Sequence, residues 1–296
     1  MGFGLMVLAA ALDPAPSGDI AAITVLGERQ NEDEIRAEAS DYLRKTEISV
    51  GDTQVARWQA KVCAKVFGLP DPKASARVLS RFRTIAEAAG APLAHSTCQT
   101  NVAIIFTDNA AALIKRMASN DPRRFSDMSI QRKKELLQGG QPMRWWYETR
   151  VANRDGSPVS AVLPPWTSGN SESGGPVIPS NQDSTVLQTT GSSIVGSSSV
   201  RQIVRASVIV DVELATGKSL DAVSDLAAFV SLAEVRGNTA PKDSILGLFA
   251  EDAIADRLSA WDAVFLKALY AMPLDRNARS QRGKIVSAMV HQAKSP

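Results

Sequence analysis

A chain of 296 residues with 44% apolar content carries enough hydrophobic material for a packed core and is not a disordered protein. Its 33 Lys and Arg against 31 Asp and Glu leave a formal charge of +2, too small to announce a nucleic-acid or anionic-membrane partner. No stretch approaches the roughly 18 uninterrupted apolar residues of a membrane span. There is also no complete nucleotide loop of the Gly-x-Gly-x-x-Gly or Gly-x-x-x-x-Gly-Lys-Ser/Thr type, so no cofactor is expected.

Residues 1–30 read as a leader. Leu5 to Leu12 has the length of the apolar part of a signal peptide, although no Lys or Arg precedes it. The expected location is periplasmic or secreted, with a cytoplasmic one as the alternative. Ile20 to Leu26 has the composition of an edge strand. From residue 31 onward the pattern fits a single α+β domain, a mixed sheet with packed helices. Asn31 to Lys45 is an amphipathic helix with acidic residues crowded into its first turn. Ala74 to Ala89 repeats Val78, Phe82, Ile85 and Ala89 at helical spacing and stops at Gly90. Asn101 to Thr107 is an apolar strand, and Asp108 opens a helix to about Ser119. Asp121 to Gln138 holds one or two short helices, and its basic cluster of Arg123, Arg124, Arg132, Lys133 and Lys134 is interleaved with acids, as on a solvated face.

Met143 to Val151 alternates as a strand, with Met143, Trp145 and Tyr147 on one side and Arg144, Trp146 and Glu148 on the other. About residues 155–199, rich in Ser, Gly and Pro, form a long insertion between two strands. Val204 to Leu214 then alternates again, and Ser219 caps a helix to about Val235. Ser259-Ala-Trp-Asp262 has the form of a capping box at the start of a helix that Pro273 ends. A last helix runs over about 278–292.

Cys63 and Cys98 fit an exported protein as one disulfide. Free thiols, or a zinc site with His95 and His291, are the other readings, and no compact ligand spacing supports the second. Asp211 and Glu213 project from one side of a strand, roughly 7 Å apart. With Asp221 and Asp225, one turn apart on the next helix, they make a conceivable oxygen-ligand metal or acid/base site. The competing readings are a solvated strand face, and for Asp221 a partner for the helix dipole. Trp146 is either an outward binding platform, with Trp166 of the insertion folding over it, or one of two Trp buried in a sheet covered on both faces. No nucleophile elbow occurs, and only two histidines are available as bases.

The segments Ser244-Ile-Leu-Gly-Leu-Phe249, Leu258-Ser-Ala-Trp-Asp262 and Phe265-Leu-Lys-Ala-Leu-Tyr270 resemble the C-terminal signature of uncharacterised proteobacterial exported proteins related to zincin-like metallopeptidases. That resemblance covers about the last third of the chain. It implies a degenerate zincin-like fold in which the helix from Ser219 to Val235 would carry His-Glu-x-x-His. Neither histidine is present, so no catalytic residue and no metal transfer to positions here. The implied function is a non-catalytic binding or structural role in the cell envelope, with an envelope protein or a glycan as partner. The rival is a peptidase-like hydrolase using the four carboxylates.

Overall fold

The computed structural model of the chain describes residues 31–48, 51–95, 97–125, 128–153, 197, 199–236, 240–241 and 243–294. The leader with its expected edge strand, nearly all of the insertion, and Trp166 lie outside the described residues. The described residues form helices packed on a mixed sheet. In chain order they are α1 (Glu32–Thr46), β1 (Arg57–Trp58), β2 (Ala64–Phe67), α2 (Pro72–Ala89), β3 (Val102–Thr107), α3 (Ala110–Asn120), α4 (Ile130–Leu137), β4 (Met143–Asn153), β5 (Ser199–Asp211), α5 (Leu220–Leu232), α6 (Ala260–Ala271) and α7 (Ala278–Lys294).

β5 is the axis of the sheet. β4 pairs with it antiparallel from end to end, while parallel partners β1 and β3 share its other side at Gln202–Ile203 and Ala206–Asp211. β2 extends the sheet beyond β3. The two strands that flank the insertion are therefore direct neighbours, with Asn153 opposite Ser199. Gly68, just after β2, has φ +82, and a Cβ there would stand 1.9 Å from the Phe106 carbonyl oxygen. Only glycine fits that approach.

Local signals set the helix ends. Asn31 and Glu34 form a capping box on α1, Asp71 caps α2 with Pro72 in its first turn, and Ser219 and Ser259 cap α5 and α6 as their sequences predict. Asp262, the acid of the second capping box, does more than close its own helix. It is fully buried and accepts from the Ser259 and Ile245 amides at 2.9 and 2.8 Å, the Ser244 hydroxyl at 2.6 Å and the Tyr42 hydroxyl at 2.5 Å. Burial and this carboxylate push the Tyr42 phenol well above its ordinary pKa, so it stays a donor.

The main core lies between one sheet face, carrying Val102, Ile104, Phe106, Val208 and Val210, and the helices α2, α5 and α6. α5 is buried on all sides from Ala222 to Leu232, so the last carbonyls of the helix cannot reach water. Aromatic side chains supply donors instead. Trp58 Nε1 donates to Ser231 O at 2.8 Å, the Tyr270 hydroxyl to Leu232 O at 2.8 Å, and Trp145 Nε1 to Val235 O at 3.0 Å. The Tyr147 hydroxyl lies 2.6 Å from Val230 O and 2.8 Å from Ala233 O, and accepts from the Val235 amide. A second, smaller core on the opposite face joins Ile209 and Trp146 to Ala110, Ile114, Phe125 and Leu136 of α3, α4 and the turn between them.

Cys63 and Cys98 form a disulfide with Cα atoms 6.0 Å apart. It ties the start of β2 to the approach to β3, where Asn101 also binds the Cys63 amide and the Lys61 carbonyl through its side chain. Closing a loop of this length contributes about 3 to 4 kcal/mol in the chain-entropy model. The double variant Cys63→Ser/Cys98→Ser is expected to lose about that much unfolding free energy in urea titration. Tyr147→Phe is expected to cost about 1 to 3 kcal/mol in the same measurement, because buried carbonyls of α5 lose their donor.

Candidate functional site

The four carboxylates singled out by sequence do not come together. Asp221 accepts from Arg77 Nε and Nη2 at 2.6 and 2.7 Å. Asp225, almost fully buried, accepts from Arg81 Nε and Nη2 at 2.6 and 2.7 Å and from the Leu258 amide at 2.9 Å. These two fork-to-fork pairs join α2 to α5. β5 ends at Asp211, not Leu214, because the Asp211 side chain folds the chain into a turn by accepting from the Leu214 amide at 3.2 Å. Its other oxygen accepts from the Ala110 amide at the start of α3, at 3.0 Å. Asp211 is thus buried and not on a solvated face, while Glu213 sits exposed on the turn. Among the described residues no group of three His, Cys, Asp or Glu is placed to hold a metal ion. Gly217-Lys218-Ser219 stands between β5 and α5, where a phosphate loop would stand, but Val212 occupies the first glycine position and the Ser219 hydroxyl is taken by the Ala222 amide.

Trp146 is 3% exposed, which overturns the outward platform. α3, α4 and the turn between them cover that face of β4, and the Trp146 ring packs on Phe125 with centroids 5.3 Å apart. The sheet is covered on both faces, with Trp146 buried and Trp145 half-buried, and this covering carries Arg144 with it. Arg144 lies two residues away on the same side of the strand and is 1% exposed.

Here the polar accounting of the fold changes. All three guanidinium nitrogens of Arg144, and Nε1 of Trp146, are buried and find no hydrogen-bond partner among the described residues. Burial lowers the Arg144 pKa, and the Asp211 carboxylate partly opposes that shift without bonding to it. Arg57 offers a contrast. Its Nε is also unpartnered, but Nη1 donates to the Tyr270 carbonyl and the guanidinium lies 5.5 Å from the Tyr270 ring.

Two clefts open along β4, whose second edge pairs with no strand among the described residues. The first, about 300 Å³, is lined by Trp145, Trp146, Tyr147, Thr149 and Arg132 on one side and by Glu234 and Arg236 on the other. Glu234 is buried under two arginines: Arg201 Nη2 and Arg236 Nη2 each reach its Oε1 at 2.6 Å, and Arg201 also donates to Thr149 Oγ1. The second, about 330 Å³, is lined by Arg144, Arg132, Gln141, Met143, Trp145, Leu226, Leu246 and Phe249. Arg132, 5.8 Å from the centroid of the Trp145 ring, borders both.

Arg144 escapes a residue-type reading because alternation alone places it among polar neighbours. The available signal is Trp146 two positions on: if that tryptophan is buried, so is the arginine that shares its face. No protein-family model, curated protein or solved structure matches this chain.

Removing an uncompensated buried charge stabilises a fold. Arg144→Met is accordingly expected to raise the unfolding free energy by about 1 kcal/mol or more, read by urea titration. Asp225→Ala, which strands Arg81 and the Leu258 amide, is expected to cost about 3 to 5 kcal/mol. Arg77 holds the Asp221 carboxyl below the ordinary carboxylate range. That pair's contribution is complete above the unfolded pKa of about 4 and fades as the pH falls through the lowered folded value. Asp221→Asn should therefore shallow the acid limb of a thermal-stability profile and leave the alkaline limb unchanged.

Proposed function

We propose that this chain is an exported, non-catalytic binding module of the cell envelope, and that its ligand seats along the open side of β4. One observation carries the reading: buried donors on Arg144 and Trp146 with no acceptor among the described residues, on a strand beside two clefts that together run the length of its aromatic stretch. Native folds satisfy their buried polar groups almost completely, and among the described residues only Arg57 Nε and Arg276 Nε join these two side chains as buried side-chain exceptions. Exceptions that line a cleft are where a ligand supplies the missing partner.

Export is supported by the disulfide, since such bonds persist in oxidising compartments, together with the resemblance to exported proteins and the apolar run near the N-terminus. The non-catalytic part rests on α5, the helix that would carry the metal in a zincin-like relative. Its polar side chains are committed to structure: Ser224 and Ser231 donate back to Leu220 O and Ala227 O at 2.6 Å, and Asp221 and Asp225 hold α2. Among the described residues no helix is long and apolar enough to cross a membrane.

Osmotic-shock fractionation of the native cell is expected to place the protein in the periplasmic fraction with both cysteines unreactive to maleimide. Recovery in the cytosol with two reactive thiols would overturn export. Native mass spectrometry of the gently purified protein is expected to show a bound small molecule that Arg144→Met loses. Protein of bare chain mass, from every preparation, would sink the binding role.

A further inference from the structure

The small net charge of the chain hides a local asymmetry. From residue 110 to residue 137, Lys115 and Arg116 join the basic cluster of the following segment, so that seven cations stand against three acids, Asp121, Asp127 and Glu135. That excess of four is twice the +2 of the whole chain. We infer that the outward side of α3 and α4 docks on an anionic lipid bilayer, with Ile130 entering the headgroup region beside Lys133 and Lys134. The surface uses residues that line neither β4 cleft, and the inference does not rest on the binding role proposed above.

Both helices turn their inner sides to the same small core, α3 through Ala110 and Ile114 and α4 through Leu136. Their outer stripes therefore face solvent on one side of the molecule. On that side Lys115, Arg116 and Lys134 are exposed and Lys133 is half-buried. Arg124 is spent on Asp121 and Arg132 on Glu135. The other four cations form no ion pair among the described residues, which leaves their charge to an outside partner.

Charge alone would suit any polyanion, and Ile130 decides between them. It opens α4 and is 79% exposed, with Lys133 and Lys134 on its face one turn further on. A lone exposed isoleucine is ordinary on a protein surface. One set among cations gains from a partner that supplies negative charge and hydrocarbon together, and the boundary of an anionic bilayer does so. Single-stranded nucleic acid asks instead for aromatic platforms, and Phe125 and Trp146 of this layer are buried. Ile254 is the contrast. It is equally exposed at 79% but stands between Asp252 and Asp256, where an anionic surface is repelled.

The test is sedimentation of the full-length, disulfide-intact protein with lipid vesicles. Phosphatidylcholine vesicles containing about one-third phosphatidylglycerol are expected to carry the protein down at low salt, and pure phosphatidylcholine to bind it at least about tenfold more weakly. Raising sodium chloride from about 0.05 M to about 0.5 M should release it, because screening shortens the reach of the patch. Neither comparison needs a variant to fold. Lys133→Glu/Lys134→Glu and, on the neighbouring helix, Lys115→Glu/Arg116→Glu should each weaken binding to the anionic vesicles at least about tenfold. Ile130→Ser should weaken it about fivefold or more, and Ile254→Ser should leave it unchanged. Equal binding to the two kinds of vesicle, no binding to the anionic ones, or an affinity within about twofold of wild type in either charge-reversed variant would each overturn the inference. Undiminished binding by Ile130→Ser would overturn it too, since a purely electrostatic patch does not select a bilayer. Duplex DNA that strips the protein from the vesicles at equal phosphate concentration would assign the patch to nucleic acid and remove the lipid reading.

Discussion

The backbone of β5 must satisfy its hydrogen-bonding groups on two edges and has no access to water on either, because the strand is buried at the centre of the sheet. β4 takes one edge completely. The other is divided between β1 and β3, which follow one another along it. Every other layer takes its position from this arrangement. The parallel side brings in α2 through the β2–α2–β3 unit, and the antiparallel side leaves β4 as the border of the sheet among the described residues.

The same demand for satisfied polar groups explains the aromatic usage. Trp58, Trp145, Tyr147 and Tyr270 fill the core around α5 and also close its carboxyl end with their N–H and O–H groups. A helix buried on all sides needs partners that are mostly apolar and bear one donor, and Trp and Tyr are the side chains of that description. Asp262 solves the reverse problem with an acceptor. Four donors from three segments converge on it, so α1, α6 and the 244–245 turn are registered by one carboxylate.

Against that thorough pairing, Arg144 and Trp146 stand out by position as well as by lack of partners. They occupy one face of the border strand, next to clefts. The strand that fixes the fold on its inner edge therefore carries its unpartnered donors on the face that α3 and α4 cover.

Much of the frame is readable in the chain itself. Asn31, Asp71, Ser219 and Ser259 start helices through local hydrogen bonds, alternation marks β4 and β5, and Cys63 and Cys98 have a spacing suited to one bridge. These features depend on residues a few positions apart, or on an obvious pairing of two cysteines in one chain. Tertiary structure alone decided where the charged groups went. Asp221 and Asp225 were matched to Arg77 and Arg81 on a helix 144 residues away, which ended their candidacy as metal ligands, and Asp211 was drawn to the amide of α3. The burial of Arg144 likewise depends on α3 and α4 closing over a strand face. No local pattern encodes that event, because a polar side chain on an alternating strand reads the same whether the layer beyond it is water or protein.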